Sequence, residues 1–506
     1  MKTLLVSKYH DDTRSTYAYI LLSLVFVVLN LFTLNNLAPW VDEAMFIDTS
    51  YNAAIHGSWE TTAWYRVVGE YPFSTYPPLY QLLATVWIWL FGGSLMAVRS
   101  LNLLITFLLG AATLQFLRRY EKLNLWTVVL FTILLWGTSE MAWMYRNGRP
   151  DMLEALLFVF TVQAVNSYLS VKSRSHCAAV IVTSALLLSS GIQAAVYLCA
   201  LWLFLFIVMK GRRKEAIRLL GLIVTGIFLG LVLVTLFMIA HGRLMAFGSS
   251  IIQYSSTLTT ITLAVLPLAG DVFGFDPTPF IQKLQELSTS SSLTERLSTI
   301  VEYHSFIILA VTALIAYLFT FRNKLKNLIG EKGFLLLLFA LYTPLVMNLA
   351  GRFAPYYRWM AFMPLLAAIV LLAARSRLWR SVCLVVALLL TVMGIRSLLP
   401  NDQWNYTNVQ SFVERQHFKK SDAVVCPFST FYEIKPVCDT CYFAGIFPTE
   451  FIERADYVIE APNGDEFDQP ISDYVNKLRE DTTIVLTVMD HCEHPSLTLY
   501  RIDKHE

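Results

Sequence analysis

Residues 40–62 read WVDEAMFIDTSYNAAIHGSWETT, and the feature that matters most is the carboxylate pair Asp42-Glu43, just past a first apolar segment from Tyr17 to Leu37. Two adjacent carboxylates are costly inside lipid and easily held at its surface. They read either as the solvated start of the amphipathic stretch Ala44 to His56, since acidic side chains favour helix N-termini, or as a reaction centre at a membrane boundary. The rest of the chain bears on that choice.

The chain has 506 residues, 56% hydrophobic and 15% charged, with a mean hydropathy of +0.54. Soluble domains carry roughly 25% charged residues, so this is an integral membrane protein. Spans need about 20 apolar residues, and many windows qualify. The polar start MKTLLVSKYHDDTR lacks a small-residue cleavage site, so Tyr17 to Leu37 reads as a retained anchor. The net charge of +2 hides an asymmetry: from Pro400 to Glu506 there are 19 acidic and 9 basic residues, net −10, leaving +12 elsewhere. A basic membrane part suits anionic headgroups and cytoplasmic loops, and nothing in it suggests nucleic acid.

Basic clusters at Arg118–Lys122, Lys172–Arg174, Lys210–Lys214, Arg322–Lys332 and Arg375–Arg380 are placed in the cytoplasm by the positive-inside rule. Between them lie apolar pairs at about 125–144 with 152–171, 176–190 with 192–209, 216–240 with 306–321, and 333–350 with 359–374, then a last span at 381–399. Pro77 to Phe91 is too short to cross and opens with two prolines, so it reads as a helix dipping into the outer leaflet. The expectation is an all-α polytopic membrane protein of about 11 transmembrane helices plus juxtamembrane helices. The N-terminus is cytoplasmic, and the Asp42 loop, the Tyr145–Asp151 turn, the 241–305 loop, the Gly351–Arg358 loop and the C-terminus share the external face. Domain 1–399, with its first external loop at 38–78, precedes a soluble tail, 400–506. Strand-like runs (Ala423–Cys426, Tyr457–Glu460, Thr483–Val488, Ser496–Ile502) alternate there with helix-like ones (Val409–Gln416, Ile471–Glu480), so the tail reads as a small α/β extracytoplasmic domain.

Cys177, Cys199 and Cys383 lie in apolar runs and read as core residues. Cys426, Cys438, Cys441 and Cys492 all fall in the tail, and an even number facing an oxidising compartment makes them disulfide candidates. A redox pair or half a metal site at Cys438–Cys441 is the alternative.

The external face gathers three unusual features: Asp42-Glu43; YRNGRPD at Tyr145–Asp151, with Arg146, Arg149 and Asp151; and GRFAPYYRW at Gly351–Trp359, with Arg352, Tyr357 and Arg358. Basic residues are disfavoured on this face, so two such loops point to anion binding. A departing lipid phosphate needs fixed cations, and an acceptor hydroxyl or amine needs a carboxylate base within reach. Transfer of a sugar from a polyprenyl phosphate uses both.

The ordered set Asp42-Glu43, Gly57-Ser58-Trp59, Pro77-Pro78-Leu79, Arg99 and Asp151, followed loosely by Arg352 to Pro364, resembles the GT-C membrane glycosyltransferases. The nearest families look like the lipid A aminoarabinose transferases and the protein O-mannosyltransferases. The resemblance covers about residues 18–375 and is strongest at 38–170, and the four-cysteine tail has no counterpart in it. It implies Asp42 as general base, Glu43 assisting or positioning, Asp151 organising the site, and Arg149, Arg352 and Arg358 holding the donor phosphate; Arg146, Tyr76 and Tyr357 beside them are candidate substrate contacts. Tyr76 stands where related sequences carry His or Lys. It also implies an inverting hexosyl- or pentosyltransferase, whose partners are a polyprenyl-phosphate sugar, a glycan, lipid or protein acceptor, and membrane lipid. No cofactor is demanded; metal dependence varies in the class, and Asp42, Glu43 and Asp151 could hold a divalent ion only if they converge. A bacterial inner membrane, with the tail periplasmic, is the default setting. A lipid-linked sugar transporter or flippase is disfavoured by the lack of internal repeats, and a non-catalytic scaffold is the third reading.

Overall fold

A computed structural model describes residues 13–59, 61, 76–242, 244, 304–321, 331–349, 359–396, 404–443, 452, 455–462 and 468–504. In chain order the first helices are α1 (Thr13–Leu31), α2 (Val41–His56), α3 (Leu79–Phe91), α4 (Leu95–Arg118), α5 (Leu125–Gly137), α6 (Ser139–Tyr145), α7 (Asp151–Ser170), α8 (Arg174–Ser190), α9 (Ala194–Val208) and α10 (Arg213–Ala240). Four further long helices follow, His304–Thr320, Lys332–Leu349, Trp359–Arg375 and Arg377–Arg396. Side chains cap several of them: Ser94, Asn124 and Ser173 each accept a hydrogen bond from a backbone N–H in the first turn of α4, α5 and α8.

Among the described residues, five helices are long and apolar enough to cross a membrane, and α5 with α6 forms a sixth path bent by 63°. Six shorter apolar helices accompany them, so the expected number of about 11 crossings is not reached by length alone. The expected span 125–144 is broken at Thr138, whose backbone is extended. The Tyr145 hydroxyl reaches back to donate to the Trp136 carbonyl at 2.6 Å, which fixes the bend. α3 has 13 residues, about 20 Å at 1.5 Å per residue, shorter than a hydrocarbon core of about 30 Å.

Side-chain orientation in α1 shows what surrounds the helices. Ser15, Ser23 and Asn30 are buried, whereas Leu21, Leu24, Val25, Val28 and Leu29 are exposed. That is the reverse of a water-soluble helix and suits a lipid surround, where polar groups must bond inward. Arg118 donates to Ser15 at 2.9 Å, and the Trp136 indole donates to Ser23 at 3.1 Å. At the ends of α4 and Trp359–Arg375, Arg375 pairs with both Glu121 and Glu331, so part of one basic cluster is neutralised locally.

The tail is an α/β domain, as the alternation of strand-like and helix-like runs predicts. Its strands are β1 (Ala423–Val425), β2 (Thr440–Tyr442), β3 (Tyr457–Glu460), β4 (Ile484–Cys492) and β5 (Leu497–Lys504), in sheet order β2-β1-β3-β5-β4. β1 is parallel to β2 and β3, while β5 is antiparallel to β3 and β4. Alternation divides the sheet between two cores. Val425, Val458 and Tyr500 pack with Ile471 and Val475 of helix Gln469–Glu480. Val424, Cys426, Cys441, Ile459 and Leu499 face the continuous core of the membrane helices.

The four tail cysteines are free thiols, so the expected disulfides are not formed. Strand placement explains this. β4 lies three spacings from β1 and four from β2, about 14 and 19 Å at 4.8 Å per spacing, which puts Cys492 beyond reach. Cys441 pairs in register with Val424, two residues before Cys426, which sets those two Cα atoms roughly 8 Å apart, outside bridging range. The Cys441 thiol instead donates to the Cys438 carbonyl at 3.3 Å. Burial pushes the Cys438 thiol up to about 12 and raises Cys426 and Cys441 as well, which keeps them protonated.

Between β1 and β2, the short helix Phe431–Ile434 carries Glu433 beside Tyr406. One Glu433 oxygen is buried with no hydrogen-bond partner among the described residues. Burial lifts this carboxyl to about 7, only partly offset by the Tyr406 hydroxyl. The folded state therefore resists an ionisation whose midpoint in the unfolded chain is near 4.5. Stability must fall as pH rises from about 4.5 to 7 and then level off, by on the order of 3 kcal/mol. Thermal unfolding of the full-length protein should show a midpoint that drops between pH 5 and 8, and Glu433→Gln should flatten that slope; an unchanged slope in the variant would contradict the assignment.

Candidate active site

Asp42 and Glu43 occupy the first turn of α2, about 100° apart around its axis, and so take different partners. Glu43 is fully buried. Its two oxygens accept from Arg99 at 2.8 and 2.6 Å, and Oε1 also accepts from the Gly148 N–H at 2.9 Å. Arg99, fully buried in α4, donates in addition to the carbonyls of Leu34, Leu37 and Ala38 at 2.5, 2.8 and 3.2 Å. One guanidinium thus stitches the link between α1 and α2 to the body. Gly148 is needed for this approach: a Cβ there would lie 3.0 to 3.2 Å from Val98, Ile47 and Glu43. Gly57, at φ +69°, stops α2 with its N–H on the Asn52 carbonyl, as a left-handed cap favours glycine.

Asp42 meets Arg149, and Arg149 also donates from Nε to Asp151 at 2.8 Å. The guanidinium lies 5.2 Å from the Trp40 ring and 5.1 Å from the Phe46 ring, a cation–π setting that helps fix its plane. Tyr76 packs edge-on against Phe46 at 4.4 Å. Asn102 holds the turn, donating to the carbonyls of Asn147 and Arg149. Exposure separates the members sharply. The side chains of Arg149 and Asp151 are 1% and 2% exposed, whereas that of Asp42 is 29% exposed. Asp42 is the acid of this cluster that a ligand can approach.

The cluster continues inward. Asp151 Oδ1 is buried without a hydrogen-bond partner among the described residues. One turn later Glu154, fully buried, accepts from Gln193 at 2.6 Å through Oε1, while its Oε2 also lacks a partner there. The Gln193 amide is thus occupied with this carboxyl.

Of the residues singled out from sequence, the structure brings Asp42, Arg149, Asp151 and Tyr76 together. Arg146 turns away and donates to the Thr33 carbonyl at the end of α1, and Glu43 faces Arg99. Arg352, Tyr357 and Arg358 lie outside the described residues. Asp42 and Asp151 converge on Arg149 while Glu43 is held by Arg99. No group of three possible metal ligands gathers among the described residues. Sequence reading missed the depth of the acidic chain. Its signal is the i, i+3 pair Asp151 and Glu154 at the start of an otherwise apolar α7.

No family model and no curated protein matches the chain by sequence. In shape it is similar to ArnT from Cupriavidus metallidurans bound to undecaprenyl phosphate, at 11% identity and a TM-score of 0.59, over 96% of this chain and 97% of that one. It is also similar to the Archaeoglobus fulgidus oligosaccharyltransferase tethered with an acceptor peptide, at 12% identity and a TM-score of 0.50, over 90% of this chain and 70% of that one. At 96% coverage, most of the tail, which the sequence resemblance leaves without a counterpart, falls within the first of these matches. The chain shares the overall fold of these two proteins.

Proposed function

We propose that this protein is an inverting glycosyltransferase that moves a sugar from a polyprenyl-phosphate donor to an acceptor at the outer face of a membrane. The observation that carries the reading is Asp42, a partly open carboxylate gripped by a buried arginine at the end of the first apolar helix. Arg149 takes its Oδ2, and Oδ1, outside that pair, is the atom offered to an acceptor proton. The acceptor oxygen or nitrogen attacks the anomeric carbon as Asp42 takes its proton. The bond from that carbon to the phosphate oxygen breaks, and the phosphate leaves with the electron pair. A single direct displacement inverts the sugar.

Arg149 is the donor-phosphate contact in this reading. Asp151 anchors its Nε edge, so its other nitrogens can turn from Asp42 to an arriving phosphate, which forms the stronger bidentate partner. Binding of the donor then frees the base at the moment it is needed. Arg352, Tyr357 and Arg358 supply the remaining phosphate contacts, and Tyr76, packed on Phe46, contacts the substrate beside them. Arg146 and Glu43 act indirectly, by holding the linker and the first turn of α2. The acceptor is a glycan, a lipid or a protein, and the sugar a hexose or a pentose. The setting is a bacterial inner membrane, with the N-terminus cytoplasmic and the tail periplasmic.

Purified protein incubated with a panel of polyprenyl-phosphate sugars should consume one of them, and Asp42→Asn should slow that consumption by about 10²- to 10⁴-fold at normal expression. An undiminished rate in Asp42→Asn would remove the base assignment. Glu43→Gln should instead reduce the yield of folded protein, because breaking one half of a buried ion pair costs about 3–5 kcal/mol; a well-folded Glu43→Gln enzyme with normal melting behaviour would speak against that role. Reporter fusions at Lys122 and Asp151, at opposite ends of the α5–α6 path, should report opposite sides of the membrane, and a shared side would break the proposed threading.

A further inference from the structure

α2 carries a third acidic side chain, Asp48, for which the transfer chemistry has no use. It is fully buried. Its Oδ2 accepts from the Thr61 hydroxyl at 2.6 Å, and its Oδ1 pairs with the Lys435 ammonium at 2.9 Å. Lys435 belongs to the C-terminal domain, directly after helix Phe431–Ile434, and is itself buried. Burial by itself would lower the Lys435 ammonium, but the facing Asp48 carboxylate outweighs it and leaves Lys435 above its ordinary value. The pair is a buried salt bridge, shut off from water, between the tail and the helix that bears Asp42.

The contact is part of a wider seating. Tyr432, fully enclosed, lies within electrostatic reach of Glu43 and Arg99. The Trp404 indole donates to the Asn35 carbonyl, in the linker between α1 and α2, at 3.1 Å. At 100° per residue, Glu43 and Asp48 project about 140° apart around α2. Arg99 thus holds one side of the helix and Lys435 another, which fixes its rotation. Asp42 is six residues from Asp48, about 9 Å along the same rigid helix, so a rotation at one is a rotation at the other.

We propose that Lys435 is a positioning residue for the transfer site: through Asp48, the tail locks α2 in the rotation that presents Asp42 to Arg149. This rests on the reading of Asp42 and Arg149 as the site. Without the ammonium, a carboxylate is left buried and unpaired, and α2 must turn or loosen to hydrate it. Removing both charges removes that demand.

The test uses full-length protein, hydrogen exchange of residues 41–56, and binding of undecaprenyl phosphate as the probe. Lys435→Met should speed exchange in α2 by about tenfold or more while α7 is unchanged, and should weaken undecaprenyl phosphate binding by a similar factor. Asp48→Asn combined with Lys435→Met should return both towards wild type. If Lys435→Met alone fails to fold, the double variant is still expected to fold and to exchange like wild type. Wild-type exchange in Lys435→Met, a double variant as loose as the single one, or a loosened α2 with unchanged lipid-phosphate binding would each overturn the proposal. A wild-type protein that does not bind undecaprenyl phosphate at all would count against Arg149 as the phosphate contact, while the exchange arm still decides whether Lys435 holds α2.

Discussion

A buried charge must find a partner or force the chain to move, and this constraint organises the region around α2. Three acids on that helix meet three cations from three different parts of the chain: Glu43 with Arg99 of α4, Asp42 with Arg149 of the turn before α7, and Asp48 with Lys435 of the tail. Each pair is worth little as net stabilisation, because desolvation offsets most of the attraction. Their value is geometric. A helix that must satisfy three separate cations can take only one position and one rotation, and that position leaves Asp42 as the partly open acid beside Arg149.

The pairs also sort the roles of two neighbouring carboxylates. Asp42 and Glu43 are adjacent in sequence, yet one is enclosed with both oxygens taken while the other keeps a face open. Arg149 is shared between Asp42 and Asp151 and flanked by Trp40 and Phe46. An arginine so fixed keeps its plane but can exchange one carboxylate for another anion. A lone surface acid offers no such exchange, and a fully compensated buried pair has no open face.

Much of this was legible in the chain. The short α3, the break of helices by turns at basic clusters, and the strands around Val424, Val458 and Leu499 follow from apolar runs and alternation. The convergence of Asp42 with the RNGRPD turn follows from placing both at one end of the apolar segments. What escaped has physical reasons. Periodicity carries no information on which cation an acid will meet, so the Glu43–Arg99 pair is not readable from the sequence and Arg146 reads as available as Arg149. Asp48 sits among Met45, Phe46, Ile47 and Tyr51, and nothing local announces a lysine from the far end of the chain. The break at Thr138 escaped because the run from Leu125 to Met144 is apolar throughout except for Thr127, Thr132, Thr138, Ser139 and Glu140, too little to mark a kink. The even number of tail cysteines suggested bridges, but strand order, unreadable from spacing, sets Cys492 on the far edge from Cys441.

The central event in the proposed reaction is Arg149 changing partners, from Asp42 to the phosphate of a lipid donor. The most direct measurement is a structure of the full-length protein with undecaprenyl phosphate bound. A phosphate oxygen is expected about 2.7–2.9 Å from the Arg149 guanidinium, with Asp42 released from it. A phosphate seated elsewhere, with Arg149 still bridging Asp42 and Asp151, would contradict it.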